Sequence, residues 1–133
     1  MDPQAANNIN PPSLTLNLSM EAFSSIIETA GYGVGYWASA MRSVKSDVQW
    51  EGLPGHFYDK ACHFTEDETG NQFLVTPEML AKAAVDLASN GKLNHYYTSA
   101  IQDLVCTGET SMVGSDIADA LVQQACFGEV VYG

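Results

Sequence analysis

The stretch ACHFTEDETGNQFLVTPEMLAKAAVDLASNG, Ala61 to Gly91, changes its hydrophobic period halfway through, and that change decides the class of fold. Its first half alternates: residues 61–65 and 72–75 flank the turn-like run 66–71, which reads as a β-hairpin. Its second half repeats at helical spacing. Thr76 supplies a hydroxyl N-cap, Pro77 a pre-set first helical position, and Glu78 a carboxylate for the positive end of the helix dipole. Leu80, Ala83, Ala84, Leu87 and Ala88 then form one apolar stripe, and Asn90-Gly91 stops it.

Downstream, the helical period continues twice. A helix is predicted from about Asn94 to Thr107, with Tyr97, Ile101, Leu104 and Val105 inward and Gly108 closing it. A last helix is predicted from Ser115 as N-cap, with Asp116 in its first turn and Ile117, Ala118, Leu121, Val122 and Ala125 inward, ending near Phe127-Gly128. The tail 129–133 reads as a short strand.

Upstream, Ser19 is a candidate N-cap with Glu21 behind it, and Phe23, Ile26, Ile27, Ala30, Val34, Trp37, Ala38 and Met41 recur in helical phase. The phase passes through Gly31, Gly33 and Gly35, each costing about 1 kcal/mol relative to alanine inside a helix. Eight apolar residues in register outweigh that cost, so one long helix over about 20–42 is predicted, with Gly31 and Gly35 one turn apart for close approach of another element or a ligand. A break at the glycines into two short helices is the alternative. Residues 44–50 alternate roughly, and Gly52, Pro54 and Gly55 mark a loop. The fold class is therefore α+β: about four helices, the first long and glycine-containing, with a small two- to three-stranded antiparallel element. Pro3, Pro11, Pro12 and three asparagines make residues 1–13 a flexible arm, and 14–133 a single globular domain. Within it, residues 14–18 read as a short strand or the run-in to the first helix.

Length and composition agree with one domain. The chain has 133 residues, 46% of them hydrophobic, enough to bury a core without staples. Cys62, Cys106 and Cys126 are an odd number without tight spacing, which points to a reducing compartment, and the N-terminal residues carry no signal-peptide pattern. The most apolar run, 30–41, falls short of the roughly 20 residues a membrane span needs. A cytoplasmic address follows.

Charge is the most unusual feature. Sixteen acids stand against five bases, for a net charge of −11. No Lys or Arg follows Lys92, while Asp103, Glu109, Asp116, Asp119 and Glu129 do. Such a field repels nucleic acid and anionic membranes and steers the protein toward a basic partner, although negative charge also serves solubility alone.

No constellation amounts to an active site. Cys62 and His63 are adjacent, and neighbours on a strand point to opposite faces; His56, His95, Cys106 and Cys126 are scattered, so no metal site is expected. Buried thiols beside apolar stripes act more often as small hydrophobes than as nucleophiles. The stretch GYGVG, Gly31 to Gly35, lacks both the dinucleotide fingerprint and the Lys-Ser/Thr pair of a phosphate loop. No cofactor and no catalytic residue is assigned. Tyr32 and Tyr36, four apart and opposite the apolar stripe, are harder to place. With Tyr96, Tyr97, Trp50 and Tyr58 they exceed what one core needs, and they suit either a protein interface or packing under the hairpin or arm.

Two segments, Thr29-Ala-Gly-Tyr-Gly-Val-Gly-Tyr-Trp-Ala38 and the closing DIADALVQQACFGEVVYG from Asp116 to Gly133, resemble a family of short acidic proteins encoded by bacteriophages and other bacterial mobile elements. The resemblance implies a bacterial host as setting and supplies no catalytic residues. It leads to the expectation of a non-enzymatic inhibitor of a host defence system, of the anti-CRISPR or anti-restriction kind, that covers a basic nucleic-acid-binding protein or complex with its own carboxylates and does not itself bind nucleic acid. The residues expected to meet the partner are Glu66, Asp67 and Glu68 at the hairpin tip, Asp116 and Asp119 at a helix start, and Tyr32 and Tyr36 as anchors. Two other readings stay open. One is a small-molecule module, for instance for a nucleotide signal, with Arg42 and Lys45 as the nearby cations. The other is a structural accessory protein that self-associates, as a homodimer, through Gly31 and Gly35.

Overall fold

The computed structural model describes residues 16, 18–43 and 62–133, without the side chains of 39–43. The arm over 1–13 and the 44–55 region, with Trp50 and Tyr58, lie outside the described residues. Among the described residues the fold is α+β, with four helices and one antiparallel sheet: α1 (Met20–Ala30), β1 (Ala38–Ser43), β2 (Cys62–Glu66), β3 (Gln72–Val75), α2 (Pro77–Ser89), α3 (His95–Thr107) and α4 (Ser115–Phe127). No helix among them is long and apolar enough to cross a membrane.

The sheet runs in the order β1-β2-β3. The predicted hairpin forms, with Cys62 opposite Val75 and Thr65 opposite Gln72. Its turn closes with Gly70 N–H on the Glu66 carbonyl at 2.8 Å, and Gly70 itself takes φ 75°, which costs a glycine nothing. β1 adds to the other edge of β2, with an irregularity between Ser39 and Arg42.

Helix starts follow local chemistry. Ser19 Oγ accepts the Ala22 N–H at 3.0 Å, Thr76 Oγ1 the Met79 N–H at 3.2 Å, and Asn94 Oδ1 the Tyr97 N–H at 2.9 Å. α4 departs from the reading: its N-cap is Gly114, one residue earlier than Ser115, and no side chain caps it. α4 is also the most enclosed helix, buried continuously from Ile117 to Gln124, with α1, α2, α3 and β3 packed around it. The core gathers Phe23, Ile26 and Ala30 of α1, Phe64 and Val75 of the sheet, Leu80 and Leu87 of α2, Ile101 and Leu104 of α3, and Leu121 and Val122 of α4. Leu16 and Leu18 pack against it from the run-in to α1.

The long first helix does not form. α1 ends at Ala30, and successive turns follow: Tyr32 N–H to Thr29 O, Gly33 N–H to Ala30 O and Trp37 N–H to Val34 O. β1 then begins at Ala38, inside the predicted helix. Val34, Trp37 and Ala38 still face the core, because turns with three- and four-residue bonds return side chains to one side at nearly helical spacing. Gly33 sets the geometry. A Cβ there would stand 2.3 Å from the Ser115 carbonyl oxygen, so the chain passes hard against the start of α4. The close approach thus belongs to Gly33 and not to Gly35, which has open space.

Candidate functional site

Residues 31–37 and the C-terminal segment meet on one face of α4. Asp119 and Gln123 are one turn apart there and both are buried. The Asp119 carboxylate accepts three hydrogen bonds: Tyr36 Oη at 2.6 Å, Trp37 Nε1 at 2.7 Å and Gln123 Nε2 at 2.9 Å. A carboxylate taken out of water needs such donors, since an unpaired buried charge is too costly to keep.

Gln123 carries the contact on to the tail. Its Oε1 accepts the backbone N–H groups of Val131 at 2.8 Å and Tyr132 at 2.7 Å, filling both lone pairs. Its Nε2 also reaches Tyr36 Oη at 3.2 Å and the Tyr132 carbonyl at 3.3 Å. Gly128, at φ 76°, turns the chain after α4 and lets it fold back. Tyr132 then stacks on Trp37, centroids 5.6 Å apart and planes 6° from parallel, and its hydroxyl donates to Glu66 Oε2. Phe127 fills the space beside this stack, tilted against Trp37 at 5.3 Å and edge-on to Phe73 at 5.0 Å. The tail forms no strand; side chains hold it.

These contacts keep protons in place. Burial first, then the hydrogen bond to Asp119, pushes the Tyr36 phenol up to about 12. The bond to Glu66, followed by burial, pushes Tyr132 up to about 12 as well. Tyr97 is raised by donating to Asp116 at 3.0 Å. Burial pushes the Cys126 thiol up to about 12, which suits a packed thiol better than a nucleophile. The three phenols are therefore neutral donors near pH 7. Among the described residues no three His, Cys, Asp or Glu side chains gather as a metal cluster.

Above Asp119 and Gln123 opens a groove of about 1010 Å³. Tyr32 and Tyr36 form one wall, the α2–α3 turn with Lys92 and Tyr97 another, and residues 128–133 a third. Its charged lining is Asp116, Asp119 and Glu129 against Lys92. Tyr32 is 89% exposed and Tyr36 57%, although Tyr36 anchors its hydroxyl below.

Of the residues singled out in the sequence, Tyr32, Tyr36, Asp116 and Asp119 line this one groove. Glu66, Asp67 and Glu68 sit elsewhere, at the hairpin. Two expected surface carboxylates are corrected. Glu66 ends β2 rather than capping the tip, is 7% exposed, and accepts from Thr69 Oγ1 at 2.8 Å as well as from Tyr132. Asp119 is 8% exposed and committed to Tyr36, Trp37 and Gln123. Asp67 and Glu68 do stand in solvent on the turn. The sequence reading places Trp37 in the apolar stripe and Tyr132 in the 129–133 tail, and gives Gln123 no role. Their one sequence signal is a pair of amides, Gln123-Gln124, inside an otherwise apolar helix.

Comparison with protein-family models, curated proteins and solved structures finds no match to this chain.

Proposed function

We propose that the protein is a stoichiometric inhibitor of a bacterial defence system, of the anti-CRISPR or anti-restriction kind, and that it acts by occupying the basic nucleic-acid-binding surface of a host protein. The observation that carries this reading is the groove, where exposed tyrosines adjoin carboxylates with one lysine against them. Aromatic side chains supply contact area at low entropic cost, and carboxylates select a cationic face. Asp67 and Glu68 extend the acidic surface to the hairpin turn. The net charge of −11 adds long-range steering toward such a target.

Retention of a tagged protein's partners from bacterial lysate, read by mass spectrometry, tests this. A nucleic-acid-binding defence complex is expected to be retained at low salt and shed at high salt, and the double reversal Asp67→Lys, Glu68→Lys should weaken retention. Tight retention indifferent to both changes would sink the mimicry.

The groove volume favours one second reading, a small-molecule module, because ligand clefts run to roughly 1,000 Å³. Among the described residues a nucleotide's phosphates would meet Asp116, Asp119 and Glu129 with Lys92 alone to balance them, so a neutral or cationic ligand fits better. Self-association through glycines loses its helical premise, since Gly31 and Gly35 do not share a helix face; sedimentation of the full chain decides the oligomeric state directly.

A further inference from the structure

The groove's tyrosines are not equivalent hydrogen-bonding groups. Tyr36 and Tyr97 both have their hydroxyls committed, to Asp119 and Asp116. Committed hydroxyls leave the ring faces as what these residues offer a ligand, and a ring face is electron-rich. Tyr32 stands beside them almost fully in water. Around these rings the exposed charges are the carboxylates of Asp116 and Glu129, with Lys92 opposite. Ring faces and carboxylates together suit a cation that is also flat. A guanidinium stacks on aromatic rings and grips a carboxylate with two parallel hydrogen bonds, whereas an ammonium is a compact, strongly hydrated point charge.

We infer that this groove receives an arginine side chain of the partner, its guanidinium stacked on the tyrosine faces and paired with Asp116 or Glu129. The inference rests on the reading of the protein as a binder of a basic surface and names the contact through which it does so. Lys92 then works against the ligand and limits affinity.

The test is titration calorimetry at low salt on the full chain, with three acetylated, amidated pentapeptides of sequence Gly-X-Gly-X-Gly, X being arginine, lysine or citrulline. The arginine peptide is expected to bind most tightly and the uncharged citrulline peptide not at all. Tyr32→Ala, a change at an exposed position that leaves the core intact, should weaken arginine binding about two- to fivefold, the range of an exposed cation–π contact. Asp116→Asn should weaken it too, and Lys92→Ala should strengthen it. Equal binding of the citrulline peptide, indifference to Tyr32→Ala, or weaker binding by Lys92→Ala would each overturn the inference. Spermidine binding as tightly as the arginine peptide would do the same, because a polyamine needs only the carboxylates. Failure of the arginine peptide beside salt-sensitive, Asp67/Glu68-dependent target retention removes the groove contact and keeps the inhibitor reading. Arginine binding without any such target removes the inhibitor reading and keeps the groove contact.

Discussion

Asp119 on α4 and Glu66 at the end of β2 are both carboxylates withdrawn from water, and both receive a tyrosine hydroxyl, yet they are held in different ways. Asp119 takes an indole N–H and an amide N–H besides its phenol. Glu66 takes hydroxyls, from Thr69 and Tyr132. An indole N–H is a donor only and is fixed to a buried ring, so without its acceptor it stays unsatisfied. A hydroxyl rotates, donates or accepts, and near the surface it finds water instead. The Asp119 site is thus a rigid joint and the Glu66 site an adjustable one.

The sharpest way to break this contrast is to remove each acceptor. Asp119→Leu orphans the Trp37 N–H and takes one acceptor from the Gln123 amide, and should cost about 3 kcal/mol of unfolding free energy, read from urea titration. A cost near that of a surface substitution would show that the joint is not rigid. Gln123→Leu should come next, at about 2 kcal/mol, because it leaves the Val131 and Tyr132 amides without their acceptor. Hydrogen exchange localises that loss, with faster exchange expected at those two amides while α2 and α3 keep their protection. Glu66→Leu should cost less than about 1 kcal/mol, since the hydroxyls of Thr69 and Tyr132 turn to water. A larger cost than that of Asp119→Leu reverses the comparison.

The smallest effect is in alkali. Below pH 10 the phenols of Tyr36 and Tyr132 are protonated whether the chain is folded or not, so their contribution is fully present. Above pH 10 the unfolded chain loses those protons while the folded one holds them to about 12, so stability falls through that window. Cys126 opens its own part of the window from the ordinary thiol value of 9.0. Tyr36→Phe should flatten the fall between pH 10 and 12 in urea midpoints, and an unchanged slope would show that the phenol does not hold its proton through Asp119.

What was legible in the sequence was local chemistry. Thr76-Pro77, Asn94 and Gly108 mark helix ends because the groups they satisfy lie within a few residues, and the structure has those ends. Residues 31–38 show where such reading stops. Hydrophobic spacing reports which side chains are buried, and Val34, Trp37 and Ala38 are; it does not report the backbone that brings them there. The deciding contact is Gly33 against the Ser115 carbonyl, far along the chain and invisible to any local window. The candidate site divides in the same way. Tyr32, Tyr36, Asp116 and Asp119 stand out by residue type, as tyrosines and acids outside the apolar stripes. Gln123 and Tyr132 escape notice because an amide in a helix and a tyrosine in a tail mean little until Trp37 is beside them.

The span of these contacts has a kinetic consequence. Tyr36 and Trp37 find Asp119 across sequence separations of 83 and 82 residues, and Glu66 finds Tyr132 across 66. Closing such long loops costs entropy before any contact rewards it. During synthesis, α1, the hairpin and α2 leave the ribosome while the indole of Trp37 still lacks both its carboxylate and its stacking ring. The nascent chain therefore carries a tryptophan whose carboxylate and stacking ring are made later, on α4 and the segment after it, and that interval is when a chaperone or a protease has its best access to it.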